Sequence, residues 1–333
     1  MSRAARRRQS HGLHIFLTVI LVILTACVVV KAFFLKAPEQ KAAELPASQP
    51  AEEENSPSDE EQAAQEALRS HLERKGGFYT ILVSGVDDGN GGSDTNILVA
   101  VDTVNGYVYG VSIPRDSKAI IDGKAHKINY AYNKGGISLL ADTLSEQLGV
   151  PVDHTVCVDL KGFTALVDAI GGVDFEVPIN MDYDDPIQGL SIHFKKGMQH
   201  LSGADALRVV RFRHNNDGTG YGSEDLGRMQ TQQKFLKAVA KKMLSFENLI
   251  SNPRKYAEIF GQYVDTDLSV TDLAWFGMQV LGMGVDKIDF STLPNEWKYP
   301  YIYLDPTETL TLVNTYLNPY VEDRTAEDLH LPS

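Results

Sequence analysis

The apolar positions of this chain change their spacing along its length, and each change marks a different kind of structure. Residues 13–35 are almost wholly apolar, interrupted by His14 near one end and Lys31 near the other. That run is long enough for one transmembrane helix, since ~20 helical residues cross the hydrocarbon core. Residues 36–58 are rich in Pro, Ala, Glu and Ser, too polar to form a core, and read as an extended or disordered stalk. Residues 59–75 carry acids early and bases late among Gln, Ala and Leu, which suits either a solvated helix ended by Gly76-Gly77 or more of the same linker.

From Phe78 onward the pattern is that of a folded domain. Residues 78–86, 95–101 and 107–113 are β-branched and aromatic runs bounded by Gly and Asn, hence strands. Asn105-Gly106 predicts a two-residue hairpin turn with positive φ at both central positions. The hairpin brings Thr95, just after Asp94, back beside Arg115. Residues 127–134 and 138–148 read as helices, broken by Gly135-Gly136 and closed by Gly149. A buried strand over 155–160, a helix over 162–170 stopped by Gly171-Gly172, and a strand over 173–177 follow. This alternation predicts an α/β domain with a mixed central sheet and helices on both faces.

Residues 182–196 look irregular. Leu201 to Leu207 opens a helix with Ser202 as N-cap and Asp205 where a capping-box acid belongs. Beyond Arg208 the chain reads as extended, which would put Arg211 and Arg213 on one face and turn Phe212 inward. A polar, glycine-rich loop over 215–223 leads to a long amphipathic helix over 224–244, with Leu236, Val239, Ala240 and Met243 on its buried stripe. The remainder supplies further helices, such as 268–281 capped by Ser269 or Thr271, and no evident chemistry. The chain thus divides into a tail (1–12), a membrane helix (13–35), a stalk (36–76), a core (77–245) and a C-terminal helical part of the same domain (246–333).

Charge sets orientation and excludes one class of partner. Lys and Arg number 31 against 44 Asp and Glu, a formal charge of −13, which argues against general nucleic-acid binding. Arg3, Arg6, Arg7 and Arg8 precede the apolar run and place the N-terminus in the cytoplasm, leaving the globular part outside the cell membrane. A cleavable signal peptide is the rival reading, but the run exceeds the usual apolar stretch of about 7 to 15 residues. Cys27 and Cys157 fall in the membrane-like segment and an apolar strand, so no intramolecular disulfide is expected.

Candidate chemistry gathers between Gly85 and Asp116. Asp87 ends an apolar run, a glycine-rich loop leads to Ser93-Asp94, and the hairpin delivers Ser112-Ile113-Pro114-Arg115-Asp116. Oxygen ligands on a loop beside a guanidinium suit a hard divalent cation and a phosphate oxyanion. Taken singly, such acids are more often loop carboxylates bonding backbone amides, and such arginines surface ion pairs. The loop is not an EF-hand, because the twelfth position from Asp88 is Val99, and no Gly-Lys-Ser/Thr follows it. Nor do the histidines, cysteines and serines take the spacings of a zinc hydrolase or a serine esterase. Arg211, Arg213 and Arg228 add cations, and Gln232 lies one turn beyond Arg228.

The ordered motifs resemble the LytR-CpsA-Psr family of cell-envelope proteins. They run from Leu82-Val83-Ser84-Gly85-Val86-Asp87 through Ser93-Asp94-Thr95, Ser112 to Asp116, Lys127-Ile128-Asn129-Tyr130-Ala131-Tyr132 with Gly135-Gly136, and Asp168 to Val173. They continue through Val210-Arg211-Phe212-Arg213 and Asp225-Leu226-Gly227-Arg228 to Gln232-Gln233. The resemblance covers residues 78–245 and implies a phosphotransferase outside the membrane of a Gram-positive bacterium. Such proteins move an anionic glycopolymer, teichoic acid or capsule, from a polyprenyl diphosphate carrier to peptidoglycan through a phosphodiester. Carried over by motif, Asp87 and Asp94 would hold Mg²⁺ or Mn²⁺, while Arg115, Arg211, Arg213 and Arg228 would bind diphosphate oxygens. Gln232 and Gln233 would line the pocket, with Asp116 and Lys127 as further substrate-binding candidates and Asp225 as general base. Gly89, Gly92 and Thr231 stand where the family often has arginine. A non-catalytic lipid-binding or regulatory protein, or a polyprenyl diphosphate pyrophosphatase, are the competing readings.

Overall fold

The computed structural model describes residues 36–41, 71–86, 92–187, 189–222, 224–243 and 253–333. The expected membrane helix, most of the stalk and Asp87 lie outside them, and among the described residues no helix is long and apolar enough to cross a membrane.

Strands β1 (Phe78–Val86), β2 (Ser93–Asp102) and β3 (Tyr107–Ile113) form an antiparallel meander. The β2–β3 connection corrects the expected two-residue turn. Asp102 pairs with Tyr107, leaving four residues in the loop, and of Asn105 and Gly106 only the glycine takes positive φ, 71°. The Asp102 carboxylate accepts from the amides of Val104 and Asn105 at 2.9 and 2.7 Å, and this local capture wins over the tighter turn.

A small hairpin follows, β4 (Lys118–Ile121) with β5 (Lys124–Lys127), and then helix α1 (Asn129–Leu148). Gly135 and Gly136 depart from helical geometry inside α1, and Gly149 closes it with φ 64°, as read from the sequence. Strand β6 (His154–Asp159) runs parallel to β1 and leads into α2 (Leu160–Ala169), whose N-cap is the Asp159 carboxylate.

Strands β7 (Val173–Val177), β8 (Met181–Asp185), β9 (Leu190–Phe194) and β10 (Gly197–Leu201) stand apart from the main sheet, paired β7 with β10 and β8 with β9. The stretch expected to be irregular, 182–196, is therefore largely hairpin. Its period of two, with Met181 and Ile192 buried on one face, was masked by the acids and Pro186 at its turn.

Helix α3 (Gly203–Arg211) begins at the Ser202 cap and continues through Arg211, which corrects the extended reading of that segment. Ala206 and Val209, three residues apart, are both buried, so packing of a helical stripe overrides the β-branched run Val209-Val210. Phe212 is buried as expected. Helix α4 (Glu224–Met243) follows. Its most buried positions are Thr231, Phe235 and Val239, a four-residue spacing; of the expected stripe only Val239 is fully buried.

The last part of the chain is not simply helical, another correction. Between α5 (Pro253–Tyr263) and α6 (Val270–Met283), strand β11 (Val264–Thr266) pairs with β6, and after α6 strand β12 (Ile288–Thr292) joins β3 in parallel. These two strands form the edges of the six-stranded sheet, ordered β11-β6-β1-β2-β3-β12. A hairpin of β13 (Asn295–Lys298) and β14 (Tyr301–Leu304) precedes the short helix α7 (Pro306–Leu312). Ser269 caps α6 with a full capping box, as anticipated.

The sheet is mixed and both its faces are covered. Phe78, Leu82, Leu98 and Val111 pack with Leu140, Leu144 and Leu148 of α1; Tyr79, Ile81, Val101 and Val108 point the other way, onto Leu273 and Phe276 of α6. Each fully buried aliphatic or aromatic side chain contributes about 1.5–3 kcal/mol by leaving water. A second core, with Phe175, Ile192, Phe212 and Phe235, joins β7–β10 to α2, α3 and α4. Here Gly203 lets α3 touch α2, because a Cβ at this position would collide with the Thr164 carbonyl. Gly203→Ala should destabilise the domain by about 1–3 kcal/mol, an overpacking cost read as a lowered thermal midpoint.

Candidate functional site

Two hairpin crossings converge at one end of the sheet. Val86 pairs with Ser93 across a bulge, and Asn96 pairs with Ile113, so the start of β2 and the exit of β3 lie together. Pro114 then turns the chain: Ser117 donates to the Pro114 carbonyl at 3.0 Å, and Asn129 and Ile302 donate to the carbonyls of Arg115 and Asp116 at 3.3 and 2.9 Å. The backbone carrying Arg115 and Asp116 is thus held by α1 and β14 as well as by its own turn.

On this frame, four of the residues singled out from the sequence form one charged chain. Arg115 donates through Nη1 to Asp94 Oδ1, and its Nε lies 3.6 Å from Asp116 Oδ1, which is itself 3.2 Å from Lys127 Nζ. The Asp94 side chain is 57% exposed and that of Arg115 35%, so water or a ligand reaches the outer pair, while Asp116 is more enclosed at 21%. Beneath them Ser84 donates to Asn96 Oδ1 at 3.0 Å, a buried polar contact that pins β1 to β2 below Asp94. Ser84 and Ser93 fall inside the quoted motifs, but their hydroxyls carry no spacing signal that would give either a role.

The glutamines bind the scaffold. Gln233 Nε2 lies 3.1 Å from Ser112 Oγ, 2.9 Å from the Ser291 carbonyl and 3.1 Å from Thr292 Oγ1, which fixes α4 to the ends of β3 and β12. Gln232 donates to the Val210 carbonyl at 3.0 Å, beside Arg211 at the end of α3. Their amide nitrogens therefore hold α3 and α4 near the exit of β3; Ser112 and Thr292 are the partners that sequence reasoning missed. Arg228 lies one turn before Gln232 on α4. Arg211 is half-buried and Arg213 exposed, and with the helix running through Arg211 they do not project side by side from a strand. Asp225 stands in the first turn of α4.

Gly92 and Thr231, which stand in place of expected arginines, each have a structural reason. Gly92 has φ 147°, a conformation that disfavours any side chain, and it faces Asn129 and Asn133 of α1. Thr231 is buried, donates to the Gly227 carbonyl at 2.9 Å and is hydrogen-bonded to the Tyr221 hydroxyl at 2.9 Å. Burial pushes the Tyr221 phenol above its ordinary pKa, so it stays neutral in this contact. Gly89 lies outside the described residues.

As a metal ligand Asp94 has suitable chemistry, a hard carboxylate at an exposed edge. Among the described residues no group of three His, Cys, Asp or Glu is poised to hold a metal ion. Any cation held here by Asp94 would need Asp87, substrate oxygens or water to complete its shell.

Comparison with known proteins places the chain. It is 32% identical over 241 residues to the polyisoprenyl-teichoic acid–peptidoglycan teichoic acid transferase TagV of Bacillus subtilis, a match covering 69% of this chain and 59% of the relative. The match thus spans less than two thirds of that relative's length. Regulatory protein MsrR of Staphylococcus aureus is 30% identical over 246 residues, 73% of this chain and 72% of its own. Among solved structures, B. subtilis TagV superposes with a TM-score of 0.59 at 30% identity, covering 72% of this chain and 96% of that one. A protein described as a transcriptional regulator from Enterococcus faecalis gives 0.62 at 25% identity, covering 75% and 91%. With the LytR_cpsA_psr family model matching residues 42–318, most of the sequence, the chain belongs to that family.

Proposed function

We propose that this protein is an extracellular phosphotransferase, held by a single N-terminal membrane helix, that transfers an anionic glycopolymer from a polyprenyl diphosphate carrier to peptidoglycan. The observation that carries the reading is the Asp94–Arg115–Asp116–Lys127 chain of alternating charge at an exposed sheet edge. Such an edge suits a diphosphate, whose oxygens compete for the guanidinium and whose charge the neighbouring lysine helps to balance. The relatives named as teichoic acid transferases support the same substrate class.

The chemistry follows from charge placement. An acceptor hydroxyl attacks the phosphorus that bears the polymer, the bond to the polyprenyl phosphate breaks, and Asp225 takes the hydroxyl proton. Arg115 neutralises a phosphate oxygen where negative charge builds, and Arg211 at the end of α3, Arg213 just beyond it and Arg228 on α4 add positive potential. Asp94, with Asp87, would hold Mg²⁺, or Mn²⁺ in its place, which supplies further charge neutralisation at the diphosphate. For the polyprenyl tail the α6 side of the sheet offers apolar surface: Val83 on β1, Val99 on β2 and Val156 on β6 pack against the core on that side and are only partly buried although their strands are interior to the sheet.

The purified full chain, given lipid-linked polymer and peptidoglycan fragments, should form the linked product with Mg²⁺ and not with chelator. Asp94→Asn, nearly isosteric, should lose most of that activity while keeping its thermal midpoint. A mutant with wild-type turnover would remove Asp94 from the metal site. The name of the S. aureus relative favours one second reading, a regulatory protein; retention of lipid without turnover under any divalent ion would support it.

A further inference from the structure

The charged chain at the sheet edge does not end at Lys127. Its ammonium lies 6.0 Å from the centre of the Trp297 indole, on the β13–β14 hairpin, within cation–π range. Trp297 is 54% exposed and Tyr299, in the turn between the two strands, is 88% exposed. A single exposed ring needs no explanation, but two on one hairpin are the beginning of an exposed apolar patch, the kind of surface that marks an interaction site.

The hairpin is also firmly built onto the site. The Ile302 amide donates to the Asp116 carbonyl at 2.9 Å, and the Tyr301 hydroxyl donates to the Ala125 carbonyl of β5 at 3.1 Å. Beside Tyr301 on the same strand, the Tyr303 ring lies 4.9 Å from Lys118 Nζ and 5.8 Å from Lys298 Nζ. A rigid base therefore holds two exposed rings, with an ammonium beside one of them.

Its position relative to the sheet bears on which substrate it meets. Leu304 of β14 packs into the core on the α1 face, whereas the partly open valines lie on the α6 face. In phosphoryl transfer the attacking and leaving oxygens stand roughly in line. If the polyprenyl phosphate leaves toward α6, the attacking hydroxyl arrives from the α1 side, where the hairpin stands. A pyranose offers its C–H face to an aromatic ring and its polar rim to neighbouring charges, and the carboxylates of peptidoglycan stems suit Lys127.

We propose that Trp297 and Tyr299 form a stacking platform for the glycan chain of the peptidoglycan acceptor, with Lys127 joining platform to reaction centre. This rests on the transferase reading and names which substrate the hairpin receives. The test uses the purified full chain in detergent, sedimented with peptidoglycan sacculi stripped of attached polymer, alongside titration with a polyprenyl diphosphate. Trp297→Ala and Tyr299→Ala should each weaken sedimentation by about tenfold, the scale of truncating one aromatic anchor of a binding surface. Trp297→Phe should restore most of it, and the polyprenyl diphosphate affinity should stay at the wild-type value in all three.

Equal sedimentation of wild type and Trp297→Ala, or no sedimentation of wild type, would overturn the platform. So would an equal loss of lipid affinity, which would move the hairpin to the donor side, or an unchanged sacculus affinity with lost binding to a partner protein. If wild type binds sacculi through Trp297 but never transfers polymer, the platform stands and the transferase reading falls.

Discussion

Arg115→Ala should lower the rate of polymer transfer by about 10²–10³-fold, the cost of removing one preorganised donor from a site of developing negative charge. The fold should not change, because Pro114 and Asp116 are held through backbone hydrogen bonds that do not involve the guanidinium. Asp94 and Asp116, both in contact with Arg115, would then face the diphosphate as uncompensated acids, which adds to the loss. Arg115→Lys keeps the charge but not the planar fork and should recover only part of the rate. Single-turnover measurements on the three proteins at saturating lipid check this; equal rates would make Arg115 a surface ion pair.

Asp153→Ala should destabilise the domain by about 3–5 kcal/mol, because it leaves a buried charge without its partner. The Asp153 side chain is fully enclosed and receives both terminal nitrogens of Arg74, at 2.6 and 2.8 Å. It also accepts from the Thr80 amide at 2.9 Å and the Lys41 amide at 2.8 Å. One carboxylate thus ties the described part of the stalk to β1. A loss of that size should lower the melting temperature by roughly 10 °C in a domain of this length. Thermal denaturation followed by circular dichroism reads it, and a shift within a degree or two would show that water replaces the contact.

The contrast between these two sites explains what was legible in the sequence. Asp94 and Arg115 were found because a hairpin fixes register, and register carries acid and guanidinium to the same edge even though the turn itself was read too tightly. Asp153 and Arg74 were missed because an ion pair 79 residues apart in sequence leaves no periodic trace. The same holds for Gln233, whose partners Ser112 and Thr292 meet only when α4 lies across β3 and β12.

Local signals failed where packing decided the outcome. Val209-Val210 favours a strand by side-chain preference, yet Ala206, Val209 and Phe212 bury one stripe against the second core, and the helix persists to Arg211. Strands β11 and β12 are short and flanked by helical sequence, so the sheet edges they form could be assigned only by pairing with β6 and β3. By contrast Gly135-Gly136, Gly149, Ser202 and Ser269 act through their own backbone or side-chain geometry, and each marks the break, end or start read from it.

Reaction in ¹⁸O-labelled water tests the transferase reading most directly, because transfer and hydrolysis differ in which oxygen attacks phosphorus. The full chain, lipid-linked polymer, Mg²⁺ and peptidoglycan fragments would be incubated together and the polymer's phosphate examined by mass spectrometry. Transfer predicts polymer joined to peptidoglycan through a phosphodiester free of label, with polyprenyl phosphate released in equal amount. Free polymer phosphate carrying one ¹⁸O, with no linked product, would show that water is the acceptor and contradict it.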